Sequence, residues 1–212
     1  MLEGMKMVMP TRRLERQLWQ QGFARVVGVD EVGRGPLAGP VTVAAVLLLA
    51  RCKLAGVRDS KAMSAIQRLT AARAIRQTAL GVGIGWASSG EIDRLGLTAA
   101  TRMAAVRALS NLPDYERIVL DGKHNYLGED YAVTTLVKAD SSCMAVAAAS
   151  VVAKVARDRY MELIDQLHPQ YRLAANKGYG SVAHLAALER YGPTPYHRHS
   201  YAPVRLAARV DG

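Results

Sequence analysis

Apolar residues change their period several times along the chain, and each change predicts an element. Leu14 and Leu18 stand four apart after the polar Thr11, a helical spacing that stops at Gly22. Two runs rich in β-branched residues follow, 26–29 and 41–49, joined by a loop that carries Gly33, Gly35, Pro36, Gly39 and Pro40. Runs punctuated in this way predict neighbouring strands. Ser60 is a capping candidate for a helix to about residue 79, Val82, Ile84 and Trp86 alternate as a third strand thinned by glycine, and 91–109 returns to helical spacing. Strands over 117–120 and 133–137 flank a loop rich in Gly, Asn and Asp. Val146, Ala149, Ala153, Ala156, Tyr160, Leu163 and Leu167 then recur every three or four residues, predicting one long helix over 142–167 whose alanines permit close packing on a sheet. A last helix is expected over 182–190.

Strands first, then strands mixed with helices, predict an α/β domain whose sheet is partly antiparallel and partly parallel. The 212 residues, half of them apolar, suffice for one sizeable core with a small appended lobe. Residues 1–10, crowded with Met1, Met5, Met7 and Met9, are read as a flexible tail or an early start. Residues 11–167 are read as the main domain, and 168–212 as a C-terminal helical lobe and tail.

Composition narrows the field only a little. Lys and Arg outnumber Asp and Glu by 28 to 18, for a formal charge of +10, which favours polyanionic partners but is compatible with simple solubility. Cys52 and Cys143 have neither disulfide-framework nor zinc-ligand spacing, and the longest apolar run, 41–50, is half a membrane span. With no signal-peptide pattern, a reduced cytoplasmic location without membrane contact is expected.

The chemistry lies in the acids. Three predicted strands run into carboxylates, at Asp30 and Glu31, at Asp121, and at Asp140. Ligands of open α/β sheets gather at the carboxyl ends of strands, so these acids converge if their strands are parallel neighbours. Carboxylates forced together repel unless a divalent cation lies among them, and all-oxygen donors suit Mg²⁺ or Mn²⁺. A pair of such ions is a known device for in-line displacement at phosphate. Taken singly, each acid could equally cap a turn or a helix. The turn Gly33-Arg34-Gly35 is not a dinucleotide-binding loop, because Pro40 leads into a strand and not a helix.

The run from Gly28 to Pro40, Gly-Val-Asp-Glu-Val-Gly-Arg-Gly-Pro-Leu-Ala-Gly-Pro, resembles the signature of the ribonuclease HII family. Asp59-Ser60-Lys61, Leu120-Asp121-Gly122, Lys138-Ala139-Asp140, the stretch Ala148 to Asp158, Gly178-Tyr179-Gly180 and His197-Arg198-His199-Ser200 resemble it in the same order. The resemblance implies a ribonuclease H-like mixed five-stranded sheet with flanking helices and a small helical C-terminal lobe. It implies an endonuclease whose metal-binding catalytic acids are Asp30, Glu31, Asp121 and Asp140, holding Mn²⁺ or Mg²⁺. It further implies that Gly33, Arg34 and Gly35 contact the ribose 2′-hydroxyl, that Tyr179 stacks on the deoxyribose after a ribonucleotide, and that Lys61, Ser150, Lys154 and Lys177 meet backbone phosphates. The implied partners are RNA/DNA hybrids and duplex DNA with embedded ribonucleotides.

Ordinary roles compete with several of these. A lone tyrosine is usually a buried anchor, and Lys154 could simply pair with Asp158 four residues on, which leaves Asp158 a weak fifth acid. His124 and His197, among five histidines in polar segments, are expected at the surface or in support and are assigned no role. Lys123-His124-Asn125 after Gly122, and Tyr201 where relatives often carry Phe, depart from the family pattern without touching the acids. Residues 205–212 lack an aromatic-ended sliding-clamp peptide, and a monomer is expected. A non-catalytic nucleic-acid-binding module and a type 1 or type 3 ribonuclease H are the competing readings; the acids speak against the first, and the glycine-arginine-glycine turn with Tyr179 against the second.

Overall fold

The computed structural model describes residues 10–50, 52, 54, 56–58 and 60–208; most of the expected tail and Asp59 lie outside them. Pro10, assigned to that tail, is buried. Five strands form one sheet: β1 (Val26–Val32), β2 (Val41–Leu48), β3 (Gly81–Ala87), β4 (Arg117–Asp121) and β5 (Val133–Leu136), in the order β3-β2-β1-β4-β5. The first three are antiparallel neighbours, whereas β1–β4 and β4–β5 are parallel. The mixed sheet is thus as expected, and its two parallel pairs set the carboxyl ends of β1 and β4 side by side.

Helices cover both faces. On one lie α2 (Ala65–Thr78) and α6 (Met144–Leu167), packed on Val26, Ala44, Val46 and Leu48; on the other lies α4 (Leu97–Leu109), packed on Val27, Val29, Val43 and Leu47. The alternation of β1 and β2 residues between these two cores is the period-2 pleat of a sheet buried on both sides. Glycine brings both helices unusually close. A Cβ on Gly28 would fall 2.1 Å from the Ala145 carbonyl carbon in α6, and one on Gly83 or Gly85 would fall 1.9 Å from a carbonyl oxygen of α4. The glycines of β3 are therefore a packing surface.

Several boundaries differ from expectation. The helix expected from Ser60 begins at Ala65, because Ser64 and Gln67 form a reciprocal capping box, and Ser60 sits in a single 3₁₀ turn. The helix expected over 91–109 is two, α3 (Ser89–Leu95) and α4, parted at Gly96 with φ of 78°. The long helix has a short forerunner, α5 (Ala139–Ser142). Along α6 the buried stripe also rotates. Leu163 and Leu167, expected inside, are 54% and 66% exposed, while Arg157, Met161 and Ile164 are buried. Beyond Ala153 the helix leaves the sheet and turns a different face to Leu37, Ala38 and the C-terminal helices α7 (Leu173–Asn176), α8 (Val182–Tyr191) and α9 (Ala202–Ala207). Among the described residues no helix is long and apolar enough to cross a membrane.

The first turn of α6 is capped from elsewhere in the chain. Its own N-cap, Cys143, supplies no side-chain bond, and the fully buried Glu15 of α1 (Arg13–Gln20) accepts the Ala145 N–H at 2.9 Å. A carboxylate at a helix N-terminus satisfies an orphan donor and opposes the helix dipole. Glu15→Ala is expected to cost about 1–2 kcal/mol, read as a lower urea midpoint with an unchanged slope; an unshifted midpoint would show the cap to be idle.

Candidate active site

Val29 of β1 pairs with Leu120 of β4, and the next residue on each strand is an acid, Asp30 and Asp121. Parallel pairing brings them to the same edge of the sheet. Asp30 is 7% exposed and faces α6, where the Ser150 hydroxyl, 3.0 Å from Ser60 Oγ, favours its charged form, and it accepts the Glu31 N–H at 2.8 Å. Glu31, one residue on, turns to the opposite side, accepts the Tyr126 hydroxyl at 3.2 Å and lies 3.9 Å from Arg34 Nη1. Asp121 accepts the Ala139 N–H at 2.7 Å, which ties the end of β4 to the start of α5. Asp140 corrects the expectation of a third strand end: β5 stops at Leu136, and Asp140 stands in the first turn of α5 after Lys138, whose φ is 57°. A left-handed lysine turns the chain so that the helix carries the acid to the sheet edge.

The four acids share one electrostatic field. Burial pushes Asp30 well above the ordinary carboxylate range and the charges of Glu31, Asp121 and Asp140 push the same way, while the nearby Ser150 hydroxyl and the Glu31 N–H, 2.8 Å from Asp30 Oδ1, oppose them. Burial also raises Glu31, with Arg34 and the Tyr126 hydroxyl pulling it back and Asp121 adding to the rise. Among the described residues no three such side chains already enclose one point as ligands would. The donor set nevertheless fits a hard divalent cation: every donor is oxygen, and the cluster carries a repulsion that a cation would relieve.

Beside the acids, the turn after β1 is held from beneath by two fully buried arginines. Arg198 donates to the carbonyls of Gly33, Arg34 and Gly39, and Arg157 to those of Ala38, Pro40 and Lys177. No carboxylate is bonded to either among the described residues, and burial lowers both, Arg157 to about 10. Peptide units are planar and trans, so drawing the Gly33 and Arg34 carbonyls inward aims the N–H groups of Arg34 and Gly35 outward. Tyr201, the departure noted in the sequence, donates its hydroxyl to the Arg34 carbonyl at 2.8 Å, a bond phenylalanine could not make.

Tyr179 is half exposed, and its ring edge lies over Gly35, where a Cβ would stand 3.6 Å from Cε1. Thus Gly33, Arg34, Gly35 and Tyr179 come together beside the acids. The lysines are engaged: Lys154 with Asp158 at 2.7 Å, Lys177 with Glu162 at 2.9 Å, and Lys61 3.7 Å from Asp140. Sequence reasoning missed Tyr126, Arg157 and Arg198, and it expected His197 at the surface or in support, where the structure buries it fully. One signal was available, since Arg157 continues the stripe Val146, Ala149, Ala153 of α6 by four residues.

Solved structures that superpose on this chain give it the ribonuclease H fold. The ribonuclease H2 of Pyrococcus horikoshii aligns with a TM-score of 0.77 at 24% identity, covering 88% of this chain and 98% of that one. A Bst-RNase HIII solved in complex with Mn²⁺ aligns at 0.69 and 25% identity, covering 91% of this chain and 72% of that one. Within that class the chain belongs to the ribonuclease HII family, whose profile matches residues 27–204. The ribonuclease HII of Streptomyces avermitilis is 50% identical over 195 residues, 91% of this chain and 84% of that protein. The chain is accordingly a hydrolase, an endoribonuclease of ribonuclease H type. Its family comprises divalent-metal enzymes that act on RNA/DNA hybrids.

Proposed function

We propose that this protein hydrolyses the phosphodiester on the 5′ side of a ribonucleotide, in RNA/DNA hybrids and in duplex DNA with embedded ribonucleotides, leaving 3′-hydroxyl and 5′-phosphate ends. The observation that carries the reading is the half-exposed Tyr179 ring over Gly35, in the turn that directly follows the acids of β1. The outward Arg34 and Gly35 N–H groups suit a ribose 2′-hydroxyl, the group that separates RNA from DNA. Tyr179 offers an apolar face to the sugar of the following deoxynucleotide. Together they select a ribonucleotide-to-deoxyribonucleotide junction and set the phosphate beside the acids.

Asp30, Glu31, Asp121 and Asp140 would hold two Mg²⁺ or Mn²⁺ ions, which when bound supply Lewis acidity and a water of lowered pKa. Ser150 keeps the Asp30 carboxylate oriented, and Tyr126 and Arg34 do the same for Glu31. Lys61, 82% exposed, and Lys154 and Lys177, by exchanging carboxylate for phosphate, track the backbone. Residues 168–208, which bear Tyr179, close the groove against the 11–167 body. The test compares duplexes carrying one ribonucleotide and several, each with Mg²⁺, Mn²⁺ or EDTA. Metal-dependent nicking 5′ of the single ribonucleotide is expected; nicking that survives EDTA, or a requirement for several consecutive ribonucleotides, would refute the reading.

A further inference from the structure

Two buried rings join the turn to the Tyr179 segment. His184 on α8 and His197 just before α9 are both fully buried, with their Nε2 atoms 3.0 Å apart. The outer hydrogen bonds fix every proton. The Tyr179 carbonyl, 2.8 Å from His184 Nδ1, can only accept, so that nitrogen is protonated. The Thr194 N–H, 3.0 Å from His197 Nδ1, can only donate, so that nitrogen is bare. His197 Nε2 therefore donates to His184 Nε2, and both rings are neutral. A further proton on either ring would set two donors against each other in the interior. Burial pushes both histidines down from their ordinary value, His197 to about 3 with the adjacent His184 ring adding to the effect.

At one end of this chain of bonds stands the turn. His197 forms a β-bridge with Ala38, and its neighbours reinforce it: Gly39 N–H donates to Tyr196 O and Arg198 N–H to Leu37 O, each at 2.8 Å. At the other end stands Tyr179, between Gly178, whose φ is +84°, and Gly180. Glycines on both sides leave this peptide freer to rotate than most, and the half-exposed ring inherits its position from the peptide. Leu37 N–H holds the Gly178 carbonyl at 2.8 Å, and His184 and Ser181 N–H hold the Tyr179 carbonyl beyond it.

We propose that His184 and His197 are positioning residues that set the Tyr179 ring at a fixed distance from the Gly33–Gly35 turn and thereby tune selection of the ribonucleotide-to-deoxyribonucleotide junction. The proposal rests on the reading of Tyr179 given above. Its test is the ratio of kcat/KM on a duplex with one ribonucleotide to that on an uninterrupted RNA/DNA hybrid, for the wild type, Tyr179→Ala, His184→Gln and the double variant. His184→Gln offers His197 Nε2 an amide oxygen as acceptor and removes the ring nitrogen that stands 2.8 Å from the Tyr179 carbonyl. The ratio is expected to fall about tenfold in His184→Gln, mainly through KM on the single-ribonucleotide duplex, with no further fall when Tyr179 is already alanine. An unchanged ratio in Tyr179→Ala would remove the reading of Tyr179 itself. A fall in Tyr179→Ala with none in His184→Gln, or losses that add in the double variant, would overturn the positioning role alone. If the substitutions unfold the chain, imidazole ¹⁵N spectra of the wild type decide: two neutral rings, protonated at His184 Nδ1 and His197 Nε2, are expected from roughly pH 6 to 8, and a ring that titrates in that window overturns the proposal.

Discussion

Asp121→Asn is expected to reduce single-turnover cleavage about a thousandfold or more while leaving the fold and duplex binding in place. Asparagine keeps an oxygen for the Ala139 N–H, so the tie between β4 and α5 survives. What disappears is one negative charge from a cluster in which Asp121 raises both Asp30 and Glu31. On the proposed reading, losing that charge would weaken the hold on divalent cations, and it would ease the repulsion among the remaining acids. Stability should therefore hold or rise slightly, the usual relation where function maintains strained electrostatics. Anisotropy with a labelled ribonucleotide-containing duplex should show affinity unchanged or improved, because a carboxylate near phosphate opposes binding. Normal turnover by this variant would remove the acids from the chemistry; loss of both binding and thermal stability would mean that Asp121 serves the fold instead.

The acids and the strands were legible for one reason: a strand ending in a carboxylate is a local pattern, and parallel pairing does the rest. Asp140 was legible only as a member of the set. Its place depends on a left-handed Lys138 and a four-residue helix, and no apolar period announces either. The stripe on α6 was readable through Ala153 and then drifted, because the surface it meets changes from the sheet to the Leu37 turn and the C-terminal helices, which come from distant sequence. That long-range contact also hid Arg157 and Arg198. A charged residue is ordinarily solvated, and only a fold that gathers six backbone carbonyls around two guanidinium groups can bury them. Tyr126 was hidden likewise: its phenol reaches Glu31 from a polar loop 95 residues away.

Gly28→Ala is expected to be the most damaging single methyl that β1 can receive. The added Cβ would fall 2.1 Å from Ala145 C and 2.3 Å from Val146 N, both backbone atoms of α6, so no side chain can swing aside and the helix itself must lift. Overpacking against a rigid element costs about 3 kcal/mol, which in a domain of this size lowers Tm by roughly 6–12 °C. Activity should fall with it even well below the new Tm, since α6 carries Ser150, whose hydroxyl favours the charged form of Asp30 two residues beyond Gly28. Gly35→Ala supplies the contrast. Its Cβ meets only Tyr179 Cε1, at 3.6 Å, and its φ is not in the left-handed region, so the fold should tolerate it. The methyl would instead stand between the turn and Tyr179, where the reading above places the ribonucleotide, and cleavage should fall with Tm unchanged. Thermal melts and cleavage rates of the two variants separate a glycine needed for packing from one needed for substrate, and equal melting temperatures would contradict the close approach of α6 to β1.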